Sequence, residues 1–199
     1  MRLFFTISLT LTSIVMYAQV NEKYLSMISK KIDSLVELDQ DNQRKLIDAV
    51  NNLEDEGLIK KLNEISEQTY RDNCEAVSKI FNEIGGYPDS EKVGKKSSYN
   101  FWLLVQHCDK MPEFQKSVLK HLKVAVKEGK ADPKNMAYLT DRVKKNFNKR
   151  QIYGTQVFRD SNGTYKPYPI YKIKKVNNRR EKVGLGTLEK YLELMNSEQ

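Results

Sequence analysis

The chain has 199 residues, a formal net charge of +8, 39% hydrophobic residues and 30% charged residues. A chain of this length and composition can bury a hydrophobic core, which excludes wholesale disorder and indicates one soluble domain of ordinary size. Only two cysteines are present, so the chain is not a small scaffold built around many disulfides.

The first 18 residues have the layout of a secretory signal peptide. Arg2 gives a positive start, residues 3–16 form an apolar run diluted by Thr and Ser, and Ala18 is a small residue at the expected cleavage site. The run is shorter than the roughly 20 residues of a spanning helix, and no second apolar run follows. We expect export to the periplasm or the exterior, cleavage near Ala18, and a mature chain without a transmembrane segment. An uncleaved amphipathic anchor is the alternative.

Residues 19–199 are expected to form a single domain whose N-terminal part, residues 22–84, is helical. Apolar residues recur there at spacings of three and four, which is the period of an amphipathic helix. The pattern ends at Gly85-Gly86, and glycine is common just beyond a helix. The apolar positions that carry the pattern are Leu25, Ile28, Ile32, Leu35, Val36, Leu46, Ile47, Val50, Leu53, Leu58, Leu62, Ile65, Val77, Ile80 and Ile84.

The next part, residues 85–175, is predicted to be the core of the domain. A third helix over residues 99–108 is apolar almost all round, which predicts a central position. A fourth helix should start near Pro112 and a fifth at Pro133, because proline suits the first turn of a helix.

A β-hairpin is predicted after the fifth helix. Residues 151–158 and residues 164–170 flank Asp-Ser-Asn-Gly at positions 160–163, which is a strong turn signal. A short C-terminal helix within residues 176–195 should close the chain. The predicted fold is therefore mostly α (α+β), a helical domain with one hairpin and a final short helix.

Charge divides the mature chain into an acidic and a basic part. Residues 19–90 carry a net charge of −6 and residues 91–199 carry +13, while residues 144–182 hold 12 basic and two acidic side chains. One interpretation is a solvated lysine-rich surface that complements the acidic part. The other is a surface for an anionic polymer or phospholipid. Nucleic acid is not an expected partner of an exported chain.

Several short motifs follow one another in a fixed order. They are Gly86-Tyr87-Pro88, Leu104-Val105-Gln106-His107, Phe114-Gln115, Ala137-Tyr138-Leu139-Thr140-Asp141-Arg142, Gln151-Ile152-Tyr153-Gly154-Thr155-Gln156, Arg179-Arg180 and Val183-Gly184-Leu185. This series resembles an uncharacterised bacterial family, catalogued as domain of unknown function 6624. The resemblance covers about residues 24–195 and implies no activity, because the family has none assigned. This chain has Tyr87 where the family typically has Trp, and Cys108 where it has a small residue.

His107 is the natural candidate for a general acid or base, because imidazole ionises near neutral pH. It shares a helical face with Asn100, Leu103 and Leu104, so a hydrogen-bonded core histidine is an equally open interpretation. Asp109 lies two residues on and would not face it. We expect a carboxylate from another helix, such as Asp141, to orient it.

A polar pocket is predicted from residues of the other motifs. Tyr138, Asp141 and Arg142 share one helical face, and Arg142 could bind a carboxylate or phosphate in a fork. A structural ion pair of Arg142 and hairpin packing of residues 151–156 are the alternatives. The expected ligand-binding residues are Tyr87, Gln106, Gln115, Tyr138, Arg142, Tyr153 and Gln156.

Standard catalytic and metal motifs are missing from the sequence. There is no nucleophile elbow, phosphate-binding glycine loop, dinucleotide fingerprint or paired-histidine zinc motif. We therefore expect no metal and no cofactor. Cys74 and Cys108 are either a disulfide or two buried thiols, and the sequence leaves both open.

Three functions follow from these residues. The first is an exported binding module whose polar pocket takes a small or extended anionic ligand. The second is a hydrolase-like enzyme in which His107 is the general base and Asp141 orients it. The third is a protein or anionic-polymer interaction domain that uses the basic C-terminal surface. The sequence leaves open whether the protein is an enzyme.

Overall fold

The computed structural model describes the backbone of residues 3–197 and the side chains of residues 21–197. The expected signal peptide, residues 1–18, lies outside the residues whose side chains are described, and it stays a prediction. Five long helices are followed by a hairpin, a single 3₁₀ turn and two short helices, so the mostly α fold with one hairpin is confirmed. The elements are α1 (Leu3–Asn51), α2 (Glu56–Ile84), α3 (Ser90–Gln106), α4 (Pro112–Lys127), α5 (Pro133–Asn146), β1 (Val157–Arg159), β2 (Tyr165–Pro167), the 3₁₀ turn (Ile173–Lys175), α6 (Val176–Glu181) and α7 (Leu188–Ser197).

Aspartates cap three of the helices. The side chain of Asp55 accepts a hydrogen bond from a backbone N–H in the first turn of α2, and Asp89 and Asp132 do the same for α3 and α5. Gly85 closes α2 in the left-handed conformation (φ +73°). The predicted starts at Pro112 and Pro133 are confirmed.

Helix α3 begins earlier than the predicted residue 99. Its first half is polar, and Gly94 interrupts it with non-helical dihedrals (φ 79°, ψ 160°), so no apolar period was visible there. The second half is the centre of the molecule, as expected: Phe101, Leu104 and Val105 are fully buried. Helices α1, α2, α4 and α5 all contact α3. The third helix therefore fixes the positions of the helices around it.

A line of polar contacts, which we call the polar seam, joins α1 to α3. Its members are Ser29 with Ser97 (Oγ–Oγ 2.6 Å), Asp33 with Asn100 (Nδ2–Oδ1 2.9 Å) and Asp39 with His107 (Nδ1–Oδ1 3.2 Å). The residue numbers rise together along both helices, so α1 and α3 run parallel. Asn100 and His107 thus use their shared face to contact α1.

The hairpin is shorter than predicted. Each strand has three residues, and Val157 pairs with Pro167, Phe158 with Lys166, and Arg159 with Tyr165. The turn at 160–163 is confirmed, with Asp160 accepting the N–H groups of Asn162 and Thr164. The extension of the first strand back to residue 151 is wrong for residues 151–156. The N–H groups of Ile152, Tyr153 and Thr155 bond to the side chain of Asp141, and that of Gln156 bonds to the side chain of Gln151. Gln151 forms only an isolated bridge to Ile170, in which its N–H donates to the carbonyl of Pro169.

The final short helix predicted within residues 176–195 is confirmed as α7, and a second short helix, α6, precedes it in the same range. Helices α6 and α7 are separated by residues 182–187, where Gly184 has φ +74°. Arg180 of α6 is 2% exposed and donates to the carbonyls of Tyr153 and Gly186. The short helices therefore hold the segment that precedes the hairpin.

Candidate functional site

A cleft of about 500 Å³ opens between α2 and the turn that joins α3 to α4. Four of its lining residues come from that turn or from α5 and carry polar side chains: His107, Asp109, Lys110 and Arg142. Residues of α2 form the opposite wall. We call it the interhelical cleft; the remaining lining residues are Glu67, Tyr70, Arg71, Cys74, Glu75, Cys108 and Met111.

His107 is held by a carboxylate from α1. Its Nδ1 lies 3.2 Å from Oδ1 of Asp39, which is 1% exposed, and the histidine side chain is 22% exposed. An ionised carboxylate can only accept hydrogen bonds, so the ring proton of a neutral His107 must be on Nδ1. Among the described residues Nε2 has no hydrogen-bond partner. This nitrogen is therefore left with its lone pair and can accept a proton.

The expected pairing of His107 with Asp141 is wrong. Asp141 is fully buried, and its two oxygens accept hydrogen bonds from the N–H groups of Ile152, Tyr153 and Thr155 and from the Thr155 hydroxyl. These four donors fill the acceptor sites of the carboxylate. Burial raises the pKa of Asp141, and the hydrogen bonds act in the opposite direction. Asp141 thus shapes the backbone instead of orienting the histidine.

Tyr70 of α2 contacts the same histidine, with the ring centroids 4.7 Å apart and the ring planes inclined by 58°. Burial, with a smaller contribution from the charge of Asp39, raises the pKa of Tyr70 to about 12. The phenol therefore stays protonated at physiological pH and offers a hydrogen-bond donor beside His107.

Arg142 reaches the cleft but is already paired. Its Nε and Nη2 donate to the two oxygens of Asp109 at 2.8 and 3.0 Å. Burial alone would raise the pKa of Asp109, yet the hydrogen bonds and charge of Arg142, with Asn146 and Lys145, hold it well below its usual range. The helical spacing predicted that Asp109 would not pair with His107, and in the structure Asp109 pairs with Arg142 instead. The structural ion pair, one of the two interpretations of Arg142, is present.

Two glutamines of the motifs, Gln115 and Gln156, contact this ion pair. The Oε1 of Gln156 accepts from Nη1 of Arg142 at 3.4 Å, and the Nε2 of Gln115 donates to Asp109 at 3.3 Å and to the carbonyl of Val105 at 2.9 Å. Gln106 is 5% exposed, and its Nε2 has no partner within the described part of the chain. Gln115 and Gln156 thus do not line the cleft themselves, but they hydrogen-bond to the ion pair that does.

The three predicted tyrosines lie elsewhere. Tyr87 is buried in the core, where its hydroxyl donates to the carbonyl of Ser98. Tyr138 packs edge-on against Trp102, and burial raises the pKa of its phenol. Tyr153 is half-buried beside Asp141 and does not line the interhelical cleft. A ligand in the cleft would not contact these three.

Residues 151–156 form a turn that is clamped from two sides. Asp141 binds its N–H groups, while Arg179 donates to the carbonyl of Ile152 and Arg180 to that of Tyr153. Gly154 has φ +68°, and a Cβ there would lie 2.6 Å from Cδ1 of Ile170. The clamp aims Gln156 at Arg142.

A disulfide joins the two walls of the cleft. Cys74 of α2 bonds to Cys108 of the turn after α3, with a Cα–Cα distance of 5.5 Å. Tyr70 and Arg71 lie one helical turn before Cys74, and His107 and Asp109 flank Cys108. The bond therefore couples the residues of both walls.

Asp39 and Tyr70 were not predicted as residues of the site, although the sequence carries a signal for Asp39. Asp39 follows Ile28, Ile32 and Val36 at helical spacing, so it occupies the next position of a buried stripe. A carboxylate there must find a buried partner. Tyr70 carried no comparable signal, because α2 is polar at most neighbouring positions.

Comparison with known proteins gives one match. The sequence model of a family of unknown function (DUF6624) matches residues 27–198. No curated protein and no solved structure matches the chain. Within the described residues, no helix is long and apolar enough to cross a membrane, and no cluster of three His, Cys, Asp or Glu is placed to hold a metal ion.

Proposed function

The chain belongs to a family of unknown function (DUF6624), and we propose that it binds a small polar ligand in the interhelical cleft, where His107 accepts a hydrogen bond or a proton from that ligand. The observation that carries this proposal is the contact of His107 with the buried Asp39, which leaves Nε2 as an unoccupied acceptor in an open cleft. Such a carboxylate fixes the tautomer and the orientation of an imidazole and stabilises its protonated form.

The size and composition of the cleft support this proposal. Ligand pockets of proteins are typically about 300–1,000 Å³ and combine apolar walls with a few polar groups. Here the phenol of Tyr70 supplies a donor and Nε2 of His107 an acceptor, while Met111 and the disulfide supply apolar surface.

The charges of the cleft favour a neutral or zwitterionic ligand over a strong anion. The charge of Arg142 is neutralised by its ion pair with Asp109. The Oε2 of Glu67 lies 2.8 Å from Nζ of Lys110 and 3.9 Å from Nη1 of Arg71. Each cation that lines the cleft therefore has a carboxylate partner. An anionic ligand would have to compete with these carboxylates.

The proposal is tested by a ligand-observed NMR screen with free amino acids, dipeptides and monosaccharides. We expect compounds that bind wild type to lose about tenfold or more of their affinity in His107→Leu, because a hydrogen bond to a charged or polarised group is lost. The matched control is His121→Leu, since His121 lies outside the cleft and the chain has only two histidines. Equal affinities in both variants would contradict the proposal.

A second candidate function is hydrolysis with His107 as the general base. The contact with Asp39 favours it, because a buried carboxylate that orients a histidine assists the histidine in general-base catalysis. p-Nitrophenyl acetate is a suitable probe. Turnover should vanish in His107→Leu, fall in Asp39→Asn and persist in His121→Leu. If wild type shows no turnover, binding is the function that remains.

Export is proposed from the N-terminal segment and the disulfide. A disulfide persists in oxidising compartments such as the periplasm, so the bond between Cys74 and Cys108 supports an exported protein. We expect the mature protein recovered from the periplasm to begin at Gln19. N-terminal sequencing checks this expectation, and an intact Met1 would contradict it.

A further inference from the structure

A second cleft, which we call the basic cleft, lies at the C-terminal end of α5. It has a volume of about 620 Å³, and no Asp or Glu is among the residues that line it. Three cations and one aromatic ring face it. Its lining residues are Lys145, Asn148, Lys149, Arg150, Tyr168 and Pro169.

The positive charge of the basic cleft is mostly uncompensated. Lys149 and Arg150 are exposed, and neither forms an ion pair with any residue in the described part of the chain. The Nζ of Lys145 lies 3.6 Å from Oδ2 of Asp109 and 5.9 Å from the centroid of the Tyr168 ring. Asp160, one of two acidic residues among 12 basic ones in residues 144–182, is paired with Lys166. Such a surface attracts anions.

The backbone on both sides of the basic cleft is fixed by hydrogen bonds. Asn148 has φ +54°, and the N–H of Lys149 donates to the carbonyl of Lys144 at 2.7 Å, which closes the end of α5. On the other side Gln151 donates from its backbone to the carbonyl of Pro169 and from its side chain to that of Tyr168, both at 2.9 Å. The two walls are therefore held together before any ligand arrives.

We propose that the basic cleft is a binding site for an anionic group of the phosphate class. A phosphate group carries up to two charges and three acceptor oxygens, which match the guanidinium fork of Arg150 and the ammonium groups of Lys149 and Lys145. A single carboxylate would satisfy only part of this set. The site is separate from the interhelical cleft and does not depend on the ligand proposed there.

The two clefts differ in whether their lining cations are paired with carboxylates. There each lining cation has a carboxylate within 4.0 Å, whereas Lys149 and Arg150 have none in the structure as described. Lys145 lies between the two clefts, since it contacts Asp109 of the first and lines the second. The protein thus separates its uncompensated cations from its candidate proton acceptor.

The experiment measures binding of inorganic tripolyphosphate by calorimetry at low and physiological salt. We expect the double variant Lys149→Gln, Arg150→Gln to bind about tenfold more weakly than wild type, since two charge-assisted contacts are lost. The matched control is Lys60→Gln, Lys61→Gln, which removes the same charge from two adjacent exposed residues of α2. This control should bind like wild type.

Two further arms complete the test. Vesicles of phosphatidylglycerol, compared with phosphatidylcholine, determine whether the phosphate comes from a lipid headgroup. Dependence on Lys149 and Arg150 in either arm supports the site. Equal losses in the two double variants, or no binding in either arm, would overturn it. His107→Leu should bind tripolyphosphate normally, so this result is independent of the function proposed for the interhelical cleft.

Discussion

Replacing Asp141 with alanine is expected to lower the free energy of unfolding by about 3–5 kcal/mol, the largest effect of any single substitution considered. The carboxylate is fully buried and accepts hydrogen bonds from three backbone N–H groups and one hydroxyl. Alanine would leave these donors without a partner in the interior. Urea unfolding of the mature chain, followed by circular dichroism, measures the loss.

The clamped turn should also lose its order in this variant. We expect the amide resonances of residues 151–156 to broaden or shift in NMR spectra, because this one carboxylate binds three N–H groups of the turn. Gln156 would then no longer be aimed at Arg142. Asp141→Asn keeps one acceptor oxygen and should lie between wild type and the alanine variant.

Asp160 offers the matched control for Asp141. It also accepts two backbone N–H groups and pairs with a lysine, but it does so in the hairpin turn at the surface. Water can replace it there, so Asp160→Ala should cost clearly less than Asp141→Ala. Equal costs would contradict the structural role assigned to Asp141.

Loss of the disulfide is expected to have the second largest effect. The bond closes a loop with a sequence separation of 34. On the chain-entropy account, a loop of this length stabilises the folded state by about 3–4 kcal/mol, because the reduced unfolded chain is freer. Urea unfolding with and without dithiothreitol should differ by this amount.

A double variant gives the control for this prediction. Cys74→Ala, Cys108→Ala removes both sulfurs, so reductant should have no effect on it. The stability of this variant should resemble that of the reduced wild type, apart from the lost packing of two buried side chains. A wild type that unfolds at the same urea concentration with and without reductant would contradict the assigned bond.

Most helices could be predicted from the sequence because their signals are local. Proline at 112 and 133 and the glycines at 85 and 86 mark ends that need no tertiary contact. The first half of α3 could not be predicted in this way. Its start depends on the cap by Asp89, and its polar residues carry no apolar period.

The turn at 151–156 shows why the rest escaped prediction. Its residues favour a strand, and Gly154 alone hinted at an irregularity. The conformation is decided by Asp141, Arg179 and Arg180, which lie ten or more residues away in sequence. No local pattern carries this information.

The sequence predicted two of the polar residues of the candidate site, but it did not predict which carboxylates they contact. His107 and Arg142 were selected because imidazole and guanidinium are reactive or ligand-binding groups, and both line the interhelical cleft. Their partners, Asp39 and Asp109, depend on how α1 and α5 pack against α3. A sequence identifies such groups more readily than it identifies which of them meet.

The polar seam has a consequence for how α1 can move. The partners Ser29–Ser97, Asp33–Asn100 and Asp39–His107 are separated by 68, 67 and 68 residues, so one alignment of the two helices satisfies all three pairs. Sliding α1 by one helical turn, about 5.4 Å, toward the start of α3 would set Asp39 beside Leu103. Asp39 would then lose the imidazole and keep only the Nε2 of Gln40, 3.0 Å from its Oδ2, as a side-chain donor. A buried carboxylate that loses its partner is costly, so the slip is opposed. The polar seam therefore fixes the position of α1 along α3, and one of its three contacts is made by the imidazole that lines the interhelical cleft.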